Sequence, residues 1–494
     1  MTKPYYLALL CLGVICACGG GSSPSANPSP NPSHNPGPNP GPSPGPAITC
    51  KSTQRTFTVT NSTGVEIWVG VTAGTISCLS DADCPTDASG SCVGAVPSTG
   101  TAGACGCPIA NECGSIAQCN SNNQKCYWNL PALTTSQMDL AAGASSTICF
   151  PAQATGQNIQ WSGNIFARTG CDSNGQHCKT GDCNSSAGGP CATGTGGNPP
   201  ATLAEFTLSQ TQLDYYDISI IGGINVGVSM SPAAESFIAN PTNPYSCGSP
   251  GSTTAFSSLA ACSWGVTPTV SGTDYSTLLR DVTPTSFSGA CPNGSARNSL
   301  GYCACTADSD CSSQSLLCGL ALNASASQYT KVCGTSIGWW TADQICGSSI
   351  NTSAPFGAPL NCASTVTNSD ASTSTYTNLY NCTKPAAASN PEQSQSCYTN
   401  GAVVDCCGCA TSASSSLSVN WPSVLSPSFG GSDNGCYNHN TNWITLAQPW
   451  IVFLKQACPT AYTYPYDDAT STFTCKGLGT VGTPDYNVTF LPTH

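Results

Sequence analysis

Charge is what this 494-residue chain has least of. Lys, Arg, Asp and Glu together make up 7% of it, against about 25% in an ordinary domain. Acids outnumber bases 24 to 12, for a net charge of -12. So few cations cannot build the basic face that a phosphate backbone requires, which excludes nucleic acid and favours a neutral or weakly polar ligand. Histidine is almost as scarce, with 4 residues. Two of them, His34 and His177, read as a solvated linker residue and a loop residue. Neither a metal nor a cofactor is expected. A long apolar run is missing too: the leader run from Tyr5 to Ala17 falls short of the roughly 20 residues that a stable membrane span needs.

Cysteine, glycine and proline are plentiful, at 35, 50 and 37 residues. The leader carries Lys3, the short apolar run, and then Ile15-Cys16-Ala17-Cys18 before three glycines. This pattern predicts an export signal over 1–17 with a lipoprotein cleavage box, in which Cys18 becomes the lipidated N-terminus. Ordinary signal cleavage is the alternative. Gly19 stands where an inner-membrane retention Asp would sit, which points to the outer membrane or the cell surface. Residues 18–53 then read as an anchored linker. Its core, NPSPNPSHNPGPNPGPSPGP, has too little apolar surface to fold and favours an extended, polyproline-like spacer.

With Cys11, Cys16 and Cys18 in the leader, 32 cysteines remain in the body, an even number that can pair completely. CGC at 105–107 and DCCGC at 405–409 invite a zinc reading, but scarce histidine and an oxidising compartment favour disulfides. Two phrases, CLSDADCPTDASGSC from Cys78 and CTADSDCSSQSLLC from Cys305, look like copies of one small disulfide module. Asp81 and Asp83, or Asp308 and Asp310, are too few carboxylates for a calcium loop. Residues 334–447 show little periodicity apart from a short helix signal at WWTADQIC. They read as a disulfide-held lobe with Trp339, Trp340, Trp421, Trp443 and Trp450 as packing anchors or sugar-stacking rings.

The most informative stretch is 161–230. Four cysteines (Cys171, Cys178, Cys183, Cys191) read as a knotted loop, followed by two alternating segments at 202–209 and 213–221 around Gln210-Thr211-Gln212. The implied hairpin register places Thr207 opposite Tyr215 and Glu205 opposite Asp217. Carboxylates so placed have Cβ atoms roughly 5 Å apart and raise one another's pKa, which is acid/base equipment or a costly surface pair.

These residues carry a family resemblance. FARTGC, CKTGDC, PPATLAEFTL and LDYYDISI resemble the core of the thaumatin-like proteins; TFTVTNSTGVEIWVG at 56–70 resembles their opening hairpin, and LKQACPTAYTYPYDDATSTFTC at 454–475 their closing segment. Length alone suggests about three domains. The resemblance implies one mainly β domain over 54–494, a flattened antiparallel β-sandwich with disulfide-rich loop lobes and cysteine-rich insertions at about 78–126 and 270–335. Cys458 and Cys475 join the disulfide candidates. The family's sandwich-closing disulfide falls at Thr63 and Leu491 here, so closure must rest on strand pairing and on Cys50.

The resemblance also implies an acidic cleft associated with binding or slow hydrolysis of β-1,3-glucans. Position by position it retains Glu205, Asp217 and Asp467 as candidate catalytic acids, with Asp468 as the alternative to the last. It puts Asn164 where the family has arginine and Gly222 where it has a fourth acid. Arg168 belongs to the RTGC motif and is also a cleft candidate. Tyr215, Tyr216 and Tyr466 are either ligand-facing rings or core residues. The expectation is a monomeric surface lipoprotein whose cleft binds a β-glucan-like polysaccharide or cell-wall surface. A weak endo-β-1,3-glucanase, and an antifungal or adhesion protein acting through its insertions, are the alternatives.

Overall fold

The computed structural model describes residues 48–494 apart from 79, 85–90, 96–102, 108–112, 151–158, 210–212, 267–268, 271–272, 275–278, 288, 293, 296, 299, 312–315, 324–327, 348–361, 368–372, 382–440, 465–466, 479–482 and 494. Cys18, the linker, Tyr466 and Trp421 therefore lie outside the described residues, as do the side chains of Trp443 and Asp468. Residues Cys50–His494 form one compact unit.

Two sheets face each other. The strands that build them are β1 (Arg55–Asn61), β2 (Ile67–Ala73), β3 (Asp139–Leu140), β4 (Ser145–Phe150), β5 (Ile159–Arg168), β6 (Leu203–Ser209), β7 (Leu213–Ser219), β8 (Gly227–Pro232), β9 (Phe237–Ile238), β10 (Phe473–Gly477) and β11 (Tyr486–Leu491). The smaller sheet runs β8-β11-β1-β4 and the larger β9-β10-β7-β6-β5-β2-β3. Pairing is antiparallel throughout except that β1 lies parallel to β11, so the first and last strands of the domain sit side by side. This parallel pair departs from the all-antiparallel expectation. It is what closes the sandwich where Thr63 and Leu491 replace a disulfide; Ser62 N–H donates to Phe490 O at 2.8 Å. Cys50 bonds Cys149, tying the domain's start to β4 rather than to the closing strand.

Alternation explains the core. Phe57 and Val59 of β1, Ile148 and Phe150 of β4, Ile67, Val69 and Val71 of β2, Phe206 and Leu208 of β6 and Val488 and Phe490 of β11 are all buried, as the period of two along a strand requires. Phe57, Phe150, Trp161 and Phe206 make ring contacts with centroids 4.6 to 5.2 Å apart. Val65 continues the alternation of Ile67, Val69 and Val71 in the sequence, yet it is 58% exposed because it sits in the turn between β1 and β2.

Thirteen disulfides involve described residues. Cys382, Cys397, Cys406, Cys407, Cys409 and Cys436 lie outside them. The four cysteines read as a knot form two consecutive small loops, Cys171–Cys178 and Cys183–Cys191. Cys458 and Cys475 pair with Cys262 and Cys247, each closing a loop of about 200 residues.

Each insertion contains a copy of one small module. Cys78–Cys92 and Cys84–Cys105 correspond to Cys305–Cys318 and Cys311–Cys333. In each copy one cysteine of each bond sits opposite the other across a strand pair, Cys92 with Cys105 and Cys318 with Cys333. Asp81 accepts from Cys92 N–H at 2.7 Å and Asp308 from Cys318 N–H at 2.9 Å. Asp83 and Asp310 cap the same 3-10 turn by accepting from Ser80 N–H and Thr306 N–H. All four aspartates hold the module's own backbone, and Asp308 also takes Arg280.

Candidate functional site

The outer face of the seven-stranded sheet carries the candidate site. Registers align Thr72 (β2), Asn164 (β5), Glu205 (β6) and Asp217 (β7) in one row across four neighbouring strands. The sequence-derived pairing of Glu205 with Asp217, and of Thr207 with Tyr215, is the one observed; the intervening loop lies outside the described residues. Thr72 Oγ1 donates to Asn164 Oδ1 at 2.6 Å. That bond turns the amide of Asn164 toward its other neighbour, and Glu205 accepts from it and from the Ser219 hydroxyl. Burial pushes the Glu205 carboxyl up to about 7 against these two hydrogen bonds. The direction is the expected one, but desolvation rather than repulsion from Asp217 is its main cause. Asp217 is 2% exposed.

The remaining candidates separate. Asp467 is 1% exposed and its carboxylate is consumed internally. One oxygen takes Lys455 Nζ at 2.7 Å, Thr463 N–H at 3.0 Å and Thr463 Oγ1 at 2.8 Å, and the other takes Thr470 Oγ1. Lys455, in the last turn of the helix Gln448–Ala457, also donates to Ala461 O and Ser471 Oγ, so the pair staples the closing segment. Asp467 is thus a structural acid, a correction to its candidacy as a catalytic one. Arg168 is fully buried; it donates to Gly175 O and Ser185 Oγ and lies over the Trp68 ring, which removes it from the ligand-binding set. Tyr216 points into the sandwich, where its hydroxyl donates to Gly248 O at 2.6 Å, so it too is core. Tyr215, one residue earlier and on the opposite face, is half-buried beside the acid row.

Gly222 follows β7 in a turn held by Thr341 Oγ1 donating to Ile221 O and by a two-way backbone pair between Ile224 and Trp339. A Cβ there would meet nothing nearer than Ala201 O at 3.4 Å, so the missing side chain is not a steric necessity.

Two further buried features were not foreseen. Arg55 makes a two-pronged bond to Asp214 at 2.9 and 3.0 Å, with the Tyr486 hydroxyl on the same carboxylate. No sequence spacing links residues 159 apart. A groove of about 630 Å³ opens between residues 130–134 and the Cys183–Cys191 loop, with Leu130, Leu133, Asn184 and Thr193 in its walls. None of its lining side chains ionises, and it is separate from the acid row.

The sequence pattern of the thaumatin family matches residues 127–492. The chain belongs to the thaumatin family. Its similarity to individual relatives is local. It is 39% identical over 127 residues to pathogenesis-related protein 1A/1B of Hordeum vulgare, covering 25% of this chain and 61% of the relative. It is 38% identical over 106 residues to a glucan endo-1,3-beta-glucosidase of Prunus avium, covering 21% and 40%. The chain thus spans less than two thirds of these relatives' length. Among solved structures a thaumatin-like xylanase inhibitor aligns at 20% identity and a TM-score of 0.18, over 36% of this chain and 76% of that one.

Proposed function

We propose that this thaumatin-family protein is exported and binds β-1,3-glucan or a related neutral polysaccharide on the Glu205–Asp217 face, with binding ranked above hydrolysis. The observation that carries the reading is the polar row Thr72–Asn164–Glu205–Asp217 aligned across four strands, with Asn164 and Glu205 half-buried and Thr72 and Asp217 buried. A carboxyl held near 7 donates or accepts hydrogen bonds to sugar hydroxyls at neutral pH. Hydrolysis needs a second carboxylate free to act as nucleophile or base. Gly222 offers none, Asp467 is committed to Lys455, and Asn164 brings no positive charge. Asp217 is the remaining partner, which keeps weak endo-glucanase activity as the second reading; the protonated Glu205 would be its general acid. Export is supported by the density of disulfides. Anchoring through Cys18 rests on the leader pattern, and the duplicated modules supply the surface for the adhesion alternative.

Calorimetric titration with laminari-oligosaccharides tests the reading. Glu205→Ala and Asp217→Ala should each weaken binding by about 1–3 kcal/mol through stranded polar partners, with folding retained. Unchanged affinity in both would remove this face from the function. Wild-type turnover of laminarin near about 10 per second, ordinary for an enzyme, would reverse the ranking of binding over catalysis.

A further inference from the structure

Beside the acid row, two residues along the strands, lies a second row. Ser162 (β5) pairs with Thr207 (β6), Thr207 with Tyr215 (β7), and Tyr215 with Thr474 (β10). All four side chains are half-buried, and all four emerge on the Glu205 face, since Thr207 and Tyr215 lie two residues from Glu205 and Asp217. Several buried hydroxyls among the described residues are engaged: Thr72, Thr341, Thr463, Ser185 and Ser471 all hydrogen-bond within the protein. The hydroxyls of this row bond to no described residue, and the row holds no charge.

We infer that this hydroxyl row is the track of a neutral glycan lying across the strands, with one sugar per strand and Tyr215 as the stacking ring. This rests on the glucan-binding reading and extends it to ligand orientation and length. Neighbouring strands are about 4.8 Å apart, so the four positions span roughly 14 Å, with a repeat close to one pyranose ring. Each hydroxyl donates and accepts, as sugar hydroxyls do, and a tyrosine ring covers the apolar face of a sugar. The acid row runs parallel about 7 Å away, two residues along the strands, so it meets the other edge of the same chain. Glu205 and Asp217 occupy only the two central strands, whereas Ser162 and Thr474 lie on the outer two. A short ligand reaches the centre alone; a longer one reaches the ends.

The test uses the exported chain, with laminaribiose and laminarihexaose as probes in calorimetry. Ser162→Ala/Thr474→Val should weaken hexaose binding about tenfold through two lost hydrogen bonds, yet leave biose within about twofold. Tyr215→Ala should weaken both. Valine keeps the β-branched shape of threonine; should the double variant fail to fold, Tyr215→Phe, which deletes one hydroxyl and nothing else, is expected to weaken both ligands by about threefold. Hexaose affinity unchanged by the outer pair would overturn the track. If Glu205→Ala still weakened binding, the acid-row reading would stand without it. A wild-type protein that bound neither sugar would overturn both.

Discussion

Glu205 sits at the centre of the proposed site, and its ionisation is set by its neighbours. Its pKa rises from an ordinary 4.5 to about 7 because folding removes water, while Asn164 and Ser219 return only part of the lost solvation. The folded state therefore binds a proton that the unfolded state has released between pH 4.5 and about 7. Stability from this group is complete below pH 4.5 and is lost as pH rises through the folded pKa. Glu205→Gln removes the titration. In urea melts across pH 4 to 8, the wild type should lose stability relative to Glu205→Gln over that window and keep the deficit above it. Parallel profiles would show that the carboxyl is already ionised in the folded protein. Asp467 shows the converse: an acid equally plausible in sequence, buried with Lys455, whose pairing serves the closing segment.

At the level of elements, the duplicated modules are alike inside and different in how they join the body. Asp81 and Asp308 hold equivalent backbone N–H groups, but Asp308 also receives Arg280 at 2.5 Å. Arg280 lies 5.2 Å over the Trp339 ring and is itself nearly buried. Removing Asp81 costs one net hydrogen bond, about 1 kcal/mol. Removing Asp308 also takes the carboxylate from the Arg280 guanidinium, which keeps Cys318 O; with Asp308 half-exposed the total is about 2 kcal/mol. Thermal unfolding of Asp81→Ala and Asp308→Ala should therefore differ, with the second lower in Tm. Equal shifts would mean that the Arg280 contact contributes nothing to docking the second module.

Across the whole molecule, covalent closure compensates for scarce charge. The thirteen described bonds account for 26 cysteines, and the six outside the described residues are again even in number. Intact-mass measurement after denaturing, non-reducing alkylation should show no added label and a mature N-terminus at Cys18 carrying lipid. A labelled thiol would overturn complete pairing. An unmodified N-terminus after residue 17 would overturn the anchor while leaving export in place.

Much of this protein was legible locally. Alternation in TFTVT and VEIWVGV puts the buried Phe57, Val59, Ile67, Val69 and Val71 on one face, the loop length fixes the register that sets Glu205 against Asp217, and cysteine spacing reveals the repeated module. Each is a short-range consequence of covalent geometry: two residues per strand repeat, a hairpin a few residues long, a disulfide loop of fixed size. Partners far apart in the chain were decided only when the sheets assembled. The parallel pairing of β1 with β11 joins residues more than 400 apart, Arg55 finds Asp214, and Lys455 takes Asp467 out of the candidate site. Alternation could say that Tyr215 and Tyr216 face opposite ways, but not which of them faces the core. That depended on which side of β7 the second sheet covered, a choice made by burial of the apolar rows of both sheets together.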